Sequence, residues 1–104
     1  MDSLTRETAS NLFSALAHPT RIRIVELLMP GERTVNEIAE SLGIGQSGAS
    51  QHLSHLARAG VLVVEQRGAS RYYRIRGPRI VRILGLIEEF CQVHRLGSEE
   101  EQTT

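Results

Sequence analysis

The stretch from Thr34 to Gly60, TVNEIAESLGIGQSGASQHLSHLARAG, constrains the fold more than any other part of the chain. Thr34 and Glu37 have the spacing of a capping box, and Gly43 is placed to end the helix that they begin. A second helix is predicted from about Gln46 to the residue before Gly60, its C-terminal cap. Two short helices joined by a tight glycine turn predict a helix-turn-helix.

The second of these helices carries small polar side chains where a surface helix usually carries charged ones. Its apolar positions, Ala49, Leu53 and Leu56, predict the buried face. Glutamine can form paired hydrogen bonds to adenine, and serine can contact bases or phosphates. His52 has two open roles, contact with DNA phosphate or packing against the preceding helix. The residues of the predicted DNA-contacting face are Gln46, Ser47, Ser50, Gln51, His52 and Ser54.

Two further helices precede this pair. The first is predicted over residues 3–17, with Ser3 or Thr5 as its N-cap. It ends at His18, because a residue before proline is pushed out of helical geometry. The second follows over residues 19–29, where a Pro-Gly pair ends it. His18, at the junction, is expected to satisfy local backbone groups.

After Gly60 the apolar pattern changes to the period of strands. Residues 61–66 and 71–76 are β-branched and aromatic runs, separated by a four-residue tip, which predicts a β-hairpin. Arg67 and Arg71 flank the tip and are expected to meet DNA phosphates. A hairpin directly after a recognition helix is the wing of a winged helix. The alternative is a solvated hairpin that only covers the core.

The last predicted helix spans residues 78–96 and begins with proline, which is well tolerated at the first helical position. Its apolar face is too extensive for one small domain, and the first helix has a similar surplus. Together these faces predict a two-fold dimer interface. Residues 1–97 are expected to form one domain, and residues 98–104 a disordered acidic tail. The residues assigned to the interface are Leu12, Leu84, Ile87 and Cys91.

The formal net charge is zero, but it is unevenly distributed along the chain. Residues 58–82 hold seven Arg and one Glu (+6), residues 1–57 hold four Arg and six acidic residues (−2), and residues 83–104 hold one Arg and five Glu (−4). A basic middle with an acidic end suits phosphate contact at one edge of the molecule.

Other classes of protein find little support in the sequence. The four His, the single Cys and the carboxylates show no nucleophile–base or metal-ligand spacing, so no catalytic residue, metal or cofactor is predicted. No apolar run approaches the roughly 18 residues that span a bilayer. The N-terminus lacks the pattern of a signal peptide, and one cysteine excludes an intrachain disulfide. We therefore expect a cytoplasmic protein.

Three segments in this order resemble the ArsR family of dimeric winged-helix transcriptional repressors. They are ALAHPTRIRIVELL in the second helix, TVNEIAESLGIGQSGASQHLSHLARAGVL across the helix-turn-helix, and RYYRI in the second wing strand. The match runs from about Leu12 to Arg95. The resemblance implies a homodimer whose paired recognition helices enter successive major grooves of an imperfect palindrome. It also implies an inducer that binds elsewhere and weakens DNA affinity.

The chain departs from the family at the metal sites. Metal-sensing members use two cysteines at the start of the third helix, where RTVNEIAE offers no thiol. Other members use Asp and His near the start of the last helix, with His and Glu about three turns on. This chain has Gly77, Arg79, Phe90 and Val93 at those positions. Neither metal site can be carried over.

Cys91 keeps three open roles. Some thiol-responsive members pair a cysteine at about this place with one in the second helix, where this chain has Glu26. Cys91 is a small residue of the dimer interface, a thiol sensor, or, with His94 three residues on, half of a metal site across a dimer.

The sequence as a whole predicts a mainly α winged helix-turn-helix with about five helices and one two-stranded wing. Its predicted function is that of a homodimeric, sequence-specific repressor of transcription, released from its operator by an inducer or redox signal. The inducer is not predicted. The alternative is a winged-helix module that binds other proteins.

Overall fold

Five helices and a small antiparallel sheet make up residues 1–94, the part of the chain that the computed structural model describes. This is the mainly α, winged helix-turn-helix architecture that the sequence predicts. The predicted end of the last helix, the stop at Gly97 and the acidic tail lie outside the described residues. In chain order the elements are α1 (Ser3–Leu16), α2 (Pro19–Leu28), β1 (Arg33–Thr34), α3 (Val35–Leu42), α4 (Gln46–Arg58), β2 (Leu62–Arg67), β3 (Ser70–Ile75) and α5 (Pro78–Val93).

The first two helices begin at side-chain caps. The N-cap of α1 is Asp2 rather than Ser3 or Thr5, because Asp2 Oδ1 accepts the Thr5 backbone N–H at 2.7 Å. That backbone hydrogen bond lowers the pKa of Asp2. His18 caps α2 by accepting the Thr20 N–H on Nδ1 at 3.2 Å. The expected local role of His18 is therefore confirmed.

The helix-turn-helix forms from the predicted signals. The Glu37 N–H donates to Thr34 Oγ1 at 3.2 Å, and the Thr34 N–H donates to Glu37 Oε1 at 2.8 Å, which completes the capping box. Gly43 ends α3 with φ 66°, in the left-handed region that favours glycine. α4 then begins at Gln46 and ends at Arg58, one residue earlier than predicted.

The sheet has three strands, not the predicted two. The short strand β1 pairs antiparallel with β3, in the order β1-β3-β2, with Arg33 opposite Tyr73 and Thr34 opposite Tyr72. Two residues are too few to show a strand period, so the sequence pattern could not reveal them. Thr34 thus both ends β1 and caps α3.

The wing hairpin is tighter than predicted. Arg67 pairs directly with Ser70, so the turn contains only Gly68 and Ala69 instead of four residues. Gly68 has φ 59°, whereas Ala69 has no positive φ. Glycine at the first central position is typical of a type II′ turn, which suits the twist of a two-residue hairpin.

The core lies beneath α4. α4 packs on α1, α2, α3 and β2. Leu84 is the one buried residue of α5 among those described, and it belongs to this core. No helix within residues 1–94 is long and apolar enough to cross a membrane. The buried apolar residues of the core cluster are Ala15, Leu16, Ile24, Val25, Leu28, Ile38, Leu53, Leu56, Val61, Leu62, Tyr73 and Leu84.

Candidate nucleic-acid interface

A polar groove of about 400 Å³ lies between the start of α4 and the wing. It brings together three of the predicted contact residues, Gln46 and Ser50 of α4 and Arg71 of β3. No carboxylate lines it, so nothing in the groove repels a phosphate. Its lining residues are Thr34, Val35, Asn36, Gln46, Ser50, Gln66, Ala69, Ser70 and Arg71.

α4 presents polar side chains along one face and backbone amides at its N-terminus. Gln46, Ser47 and Gln51 are exposed, and Ser50 and Ser54 are half-buried. Gly45, the N-cap, provides no side-chain hydrogen bond to the first amides of the helix. Open N–H groups at a helix N-terminus suit anionic groups such as DNA phosphates.

Arg67 is already engaged within the protein. Its guanidinium donates to both carboxylate oxygens of Glu32, at 2.7 and 2.9 Å, and to Glu65 Oε1 at 2.9 Å. It also lies 4.5 Å from the centroid of the Tyr72 ring. The hydrogen bonds that the guanidinium donates to Glu65 and Glu32 raise the pKa of Arg67. Arg67 therefore ties the wing to the turn before β1, with its charge compensated.

Arg71 is held differently. Its Nε donates to Gln66 Oε1 at 3.1 Å, and Gln66 Nε2 in turn donates to the Gly68 carbonyl at 2.9 Å. Neither of the two ion pairs among the described residues involves Arg71. A neutral partner orients this guanidinium towards the groove but leaves its charge available.

His52 lies against the helices that precede the helix-turn-helix. Arg21 Nη1 is 3.4 Å from His52 Nδ1, and the rings of His52 and His18 have centroids 4.7 Å apart. Arg21 also donates from Nε to the Ala15 carbonyl at 2.6 Å, which joins α1 to α4. Of the two roles open to His52, this geometry favours packing. No sequence pattern indicates the contact between Arg21 and His52, because these residues are 31 positions apart in the chain.

The predicted interface residues occupy different environments. Leu84 is only 8% exposed and packs in the core of its own chain, so it is not part of the exposed face of α5. Leu12 is half-buried, whereas Ile87 and Cys91 are exposed. Within residues 1–94, no group of three or more His, Cys, Asp or Glu side chains is arranged to hold a metal ion.

These elements define the class of the protein. A helix-turn-helix whose recognition helix shares a groove with a β-hairpin is a winged-helix DNA-binding domain. A family model described as a helix-turn-helix domain matches residues 16–65.

Similar proteins identify the family. The chain is 41% identical to the uncharacterized HTH-type transcriptional regulator Rv0081 of Mycobacterium tuberculosis, over 74% of this chain and 68% of that protein. It is 32% identical to the biofilm growth-associated repressor of Xylella fastidiosa, over 88% of this chain and 80% of the repressor. A solution structure of the homodimeric winged helix-turn-helix DNA-binding domain of Mb0332 from Mycobacterium bovis, a possible ArsR-family regulator, aligns with TM-score 0.83 and 29% identity, over 93% of this chain and 89% of that one. The chain belongs to the ArsR/SmtB family of winged helix-turn-helix transcriptional regulators. The family and fold are those of DNA-binding regulators, not of enzymes.

The environment of His52 predicts a pH dependence of stability. Burial, followed by the nearby cations His18, Arg21 and His55, lowers the pKa of His52 below its usual 6.5. The unfolded chain therefore binds this proton more readily than the folded chain does. This contribution to stability is complete above about pH 6.5 and is lost as the pH falls through the folded-state pKa.

We expect the free energy of unfolding to fall less steeply in His52→Gln than in the wild type between about pH 7.5 and pH 5. Chemical denaturation at a series of pH values measures it, with His94→Gln as a control for the loss of one imidazole. Equal slopes in the wild type and His52→Gln would contradict this expectation.

Proposed function

We propose that this chain acts as a homodimeric repressor that binds an imperfect palindromic operator in double-stranded DNA. The observation that carries the proposal is the groove that places Gln46 and Ser50 of the recognition helix beside Arg71 of the wing. Base edges are recognised by the helix, and phosphates are held by the wing. We place this activity in the cytoplasm.

Gly48 supports close contact between α4 and DNA. Glycine inside a helix costs about 1 kcal/mol relative to alanine. A Cβ added at Gly48 would meet nothing beyond its own helix within 4 Å, so no contact within the chain requires glycine there. A ligand that approaches the backbone closely would explain the residue, and the major groove of DNA is such a ligand.

The exposed faces of α1 and α5 support a dimer. Phe13 on α1 is 64% exposed and Phe90 on α5 is 55% exposed. A Cβ at Gly85, in the middle of α5, would also meet nothing beyond its own helix within 4 Å. Other large apolar side chains of α5, including Leu86 and Val93, are exposed as well, and exposed apolar patches often mark an interaction site. A second copy, as in the homodimeric relative of Mycobacterium bovis, would cover these faces.

The dimer sets the spacing of the two recognition helices. Paired helix-turn-helix domains contact half-sites about 34 Å apart, one turn of the DNA. In our proposal, the dimer interface contains Ile87 and Cys91, with Leu12 packed beside them. The side chains that face each half-site are Gln46, Ser47, Ser50, Gln51 and Ser54. An inducer that changes the spacing would release the operator.

Cys91 as a thiol sensor stays a prediction. Its thiol is exposed in the single chain. His94 packs its ring on Phe90, with centroids 4.7 Å apart, which bears against the metal half-site with Cys91. The polar groove does not favour the alternative function, a module that binds other proteins. No feature of the described residues supports that alternative specifically.

The recognition helix is tested with Gln51→Ala. We expect binding to the operator to weaken by about 1–3 kcal/mol, because a paired hydrogen bond to a base is lost, with binding to random DNA nearly unchanged. The operator is first selected from a random DNA pool, and fluorescence anisotropy then gives both affinities. Gln92→Ala, an exposed glutamine of α5, is the matched control. Equal losses on operator and random DNA would remove Gln51 from base recognition.

The wing is tested by replacing Arg67 and Arg71 one at a time. Arg71→Ala is expected to reduce the slope of log affinity against log salt by about 0.9, the value for one phosphate contact. Arg67→Ala is expected to change the slope less, because carboxylates already compensate its charge. Affinities on random DNA over a salt series measure both slopes. An unchanged slope in Arg71→Ala would exclude its phosphate contact.

The dimer is tested with Ile87→Glu. A charge in the apolar interface is expected to shift the protein to monomers, because burial of an unpaired carboxylate is costly. Sedimentation equilibrium measures the molecular mass, and Val64→Glu, an exposed apolar residue of the wing, is the control. A mass that stays dimeric in Ile87→Glu would place the interface elsewhere.

A further inference from the structure

A second cleft, of about 210 Å³, lies between α1 and the end of α4, away from the groove described above. α1 contributes Asn11 and Ser14, and the last turn of α4 contributes His55 and Arg58, with Ala59 beside them. All four polar side chains carry hydrogen-bond donors, and no carboxylate lines the cleft.

The charge at this cleft is uncompensated. Neither ion pair among residues 1–94 involves Arg58, and no hydrogen bond occupies its guanidinium. Arg21 of α2 lies close by, because it donates to the Ser14 carbonyl at 3.2 Å and its Nη1 is 3.4 Å from His52 Nδ1. Burial, and after it the nearby His18, Arg21 and His55, lowers the pKa of His52. The Arg58 guanidinium is therefore available to bind an anion.

Basic side chains at the end of α4 interact favourably with the carbonyl groups that end the helix. This interaction explains His55 and Arg58 only in part. That role needs no polar residues on a neighbouring helix, yet Asn11 and Ser14 of α1 face the same space. Guanidinium groups form paired hydrogen bonds to planar oxyanions, and the amide and hydroxyl can bind the remaining oxygens. The volume is below the roughly 300–1,000 Å³ of sites for drug-sized ligands. A compact ligand fits.

We propose that this cleft binds a small oxyanion, a carboxylate or inorganic phosphate, between Arg58 and His55 of α4 and Asn11 and Ser14 of α1. DNA is not the source of that anion. α4 rises about 1.5 Å per residue, so Arg58 is about 18 Å along the helix from the DNA-facing start at Gln46.

The cleft also gives the ligand a route to regulation, a step that rests on the proposed function. α1 carries part of the proposed dimer interface, and α4 is the recognition helix. An anion that bridges them favours one arrangement of the two helices. Its binding is therefore coupled to operator affinity, and the coupling is reciprocal.

The test is direct binding to the full chain without DNA. Acetate, succinate and inorganic phosphate are titrated at constant pH and ionic strength, with chloride as the reference, and backbone amide shifts are followed by NMR. We expect saturable shifts at the second half of α1 and the end of α4. Arg58→Gln should weaken binding about tenfold, the loss of one charge-assisted hydrogen bond. Arg23→Gln, an exposed arginine of α2, should not.

The pattern across the probes distinguishes carboxylates from phosphate. Absence of saturable shifts with every probe, or equal weakening in both variants, would overturn the assignment. An Arg58→Gln protein that loses stability but keeps its anion affinity would show a role at the helix end only, and would overturn it too. Operator affinity is measured separately with and without the bound probe. A chain that selects DNA but binds no anion refutes the cleft and leaves the proposed function intact.

Discussion

The placement of α4 on the core is the interaction on which the rest of the structure depends. Ala49, Leu53 and Leu56 are fully buried, and they fix the rotation of the helix about its axis. Burial of such side chains is worth about 1.5–3 kcal/mol for each leucine, more than any hydrogen bond at the surface of this helix contributes. Because the apolar stripe cannot turn outward, Gln46 and Gln51 must face solvent. The orientation of the recognition face follows from packing rather than from any polar contact.

Local signals in the sequence predict most of this fold. The capping box at Thr34 and the glycine stop at Gly43 each involve residues within a few positions of one another. Such patterns can be recognised in the sequence without knowledge of the tertiary structure. The five helices and the hairpin follow from them. The same reasoning predicts the N-cap of α1 at Ser3 or Thr5, whereas the structure has Asp2, because neighbouring cap-forming residues give nearly the same local signal.

Contacts between distant residues were not predictable in the same way. Arg67 and Glu32 are 35 positions apart, and Arg21 and His52 are 31 apart. The residue pattern of one segment does not indicate which residue of a distant segment will contact it. A count of arginines in residues 58–82 therefore overstates the charge available to DNA, because Arg67 is compensated. The charge that matters for phosphate contact belongs to arginines without an ion pair at the groove, such as Arg71 in the wing.

Thr34 has a further consequence. As a β1 residue it pairs with β3, the wing strand at the centre of the sheet, and as an N-cap it starts the helix-turn-helix. Arg67 adds a second tie between wing and body. Wing and recognition helix therefore stand at a fixed separation, and the protein has little freedom to adjust to a DNA of the wrong shape. The DNA must therefore change its shape to fit the protein. DNA whose base steps bend easily between the contacted positions then costs less free energy to deform. The protein therefore discriminates between DNA sequences at positions that no side chain contacts.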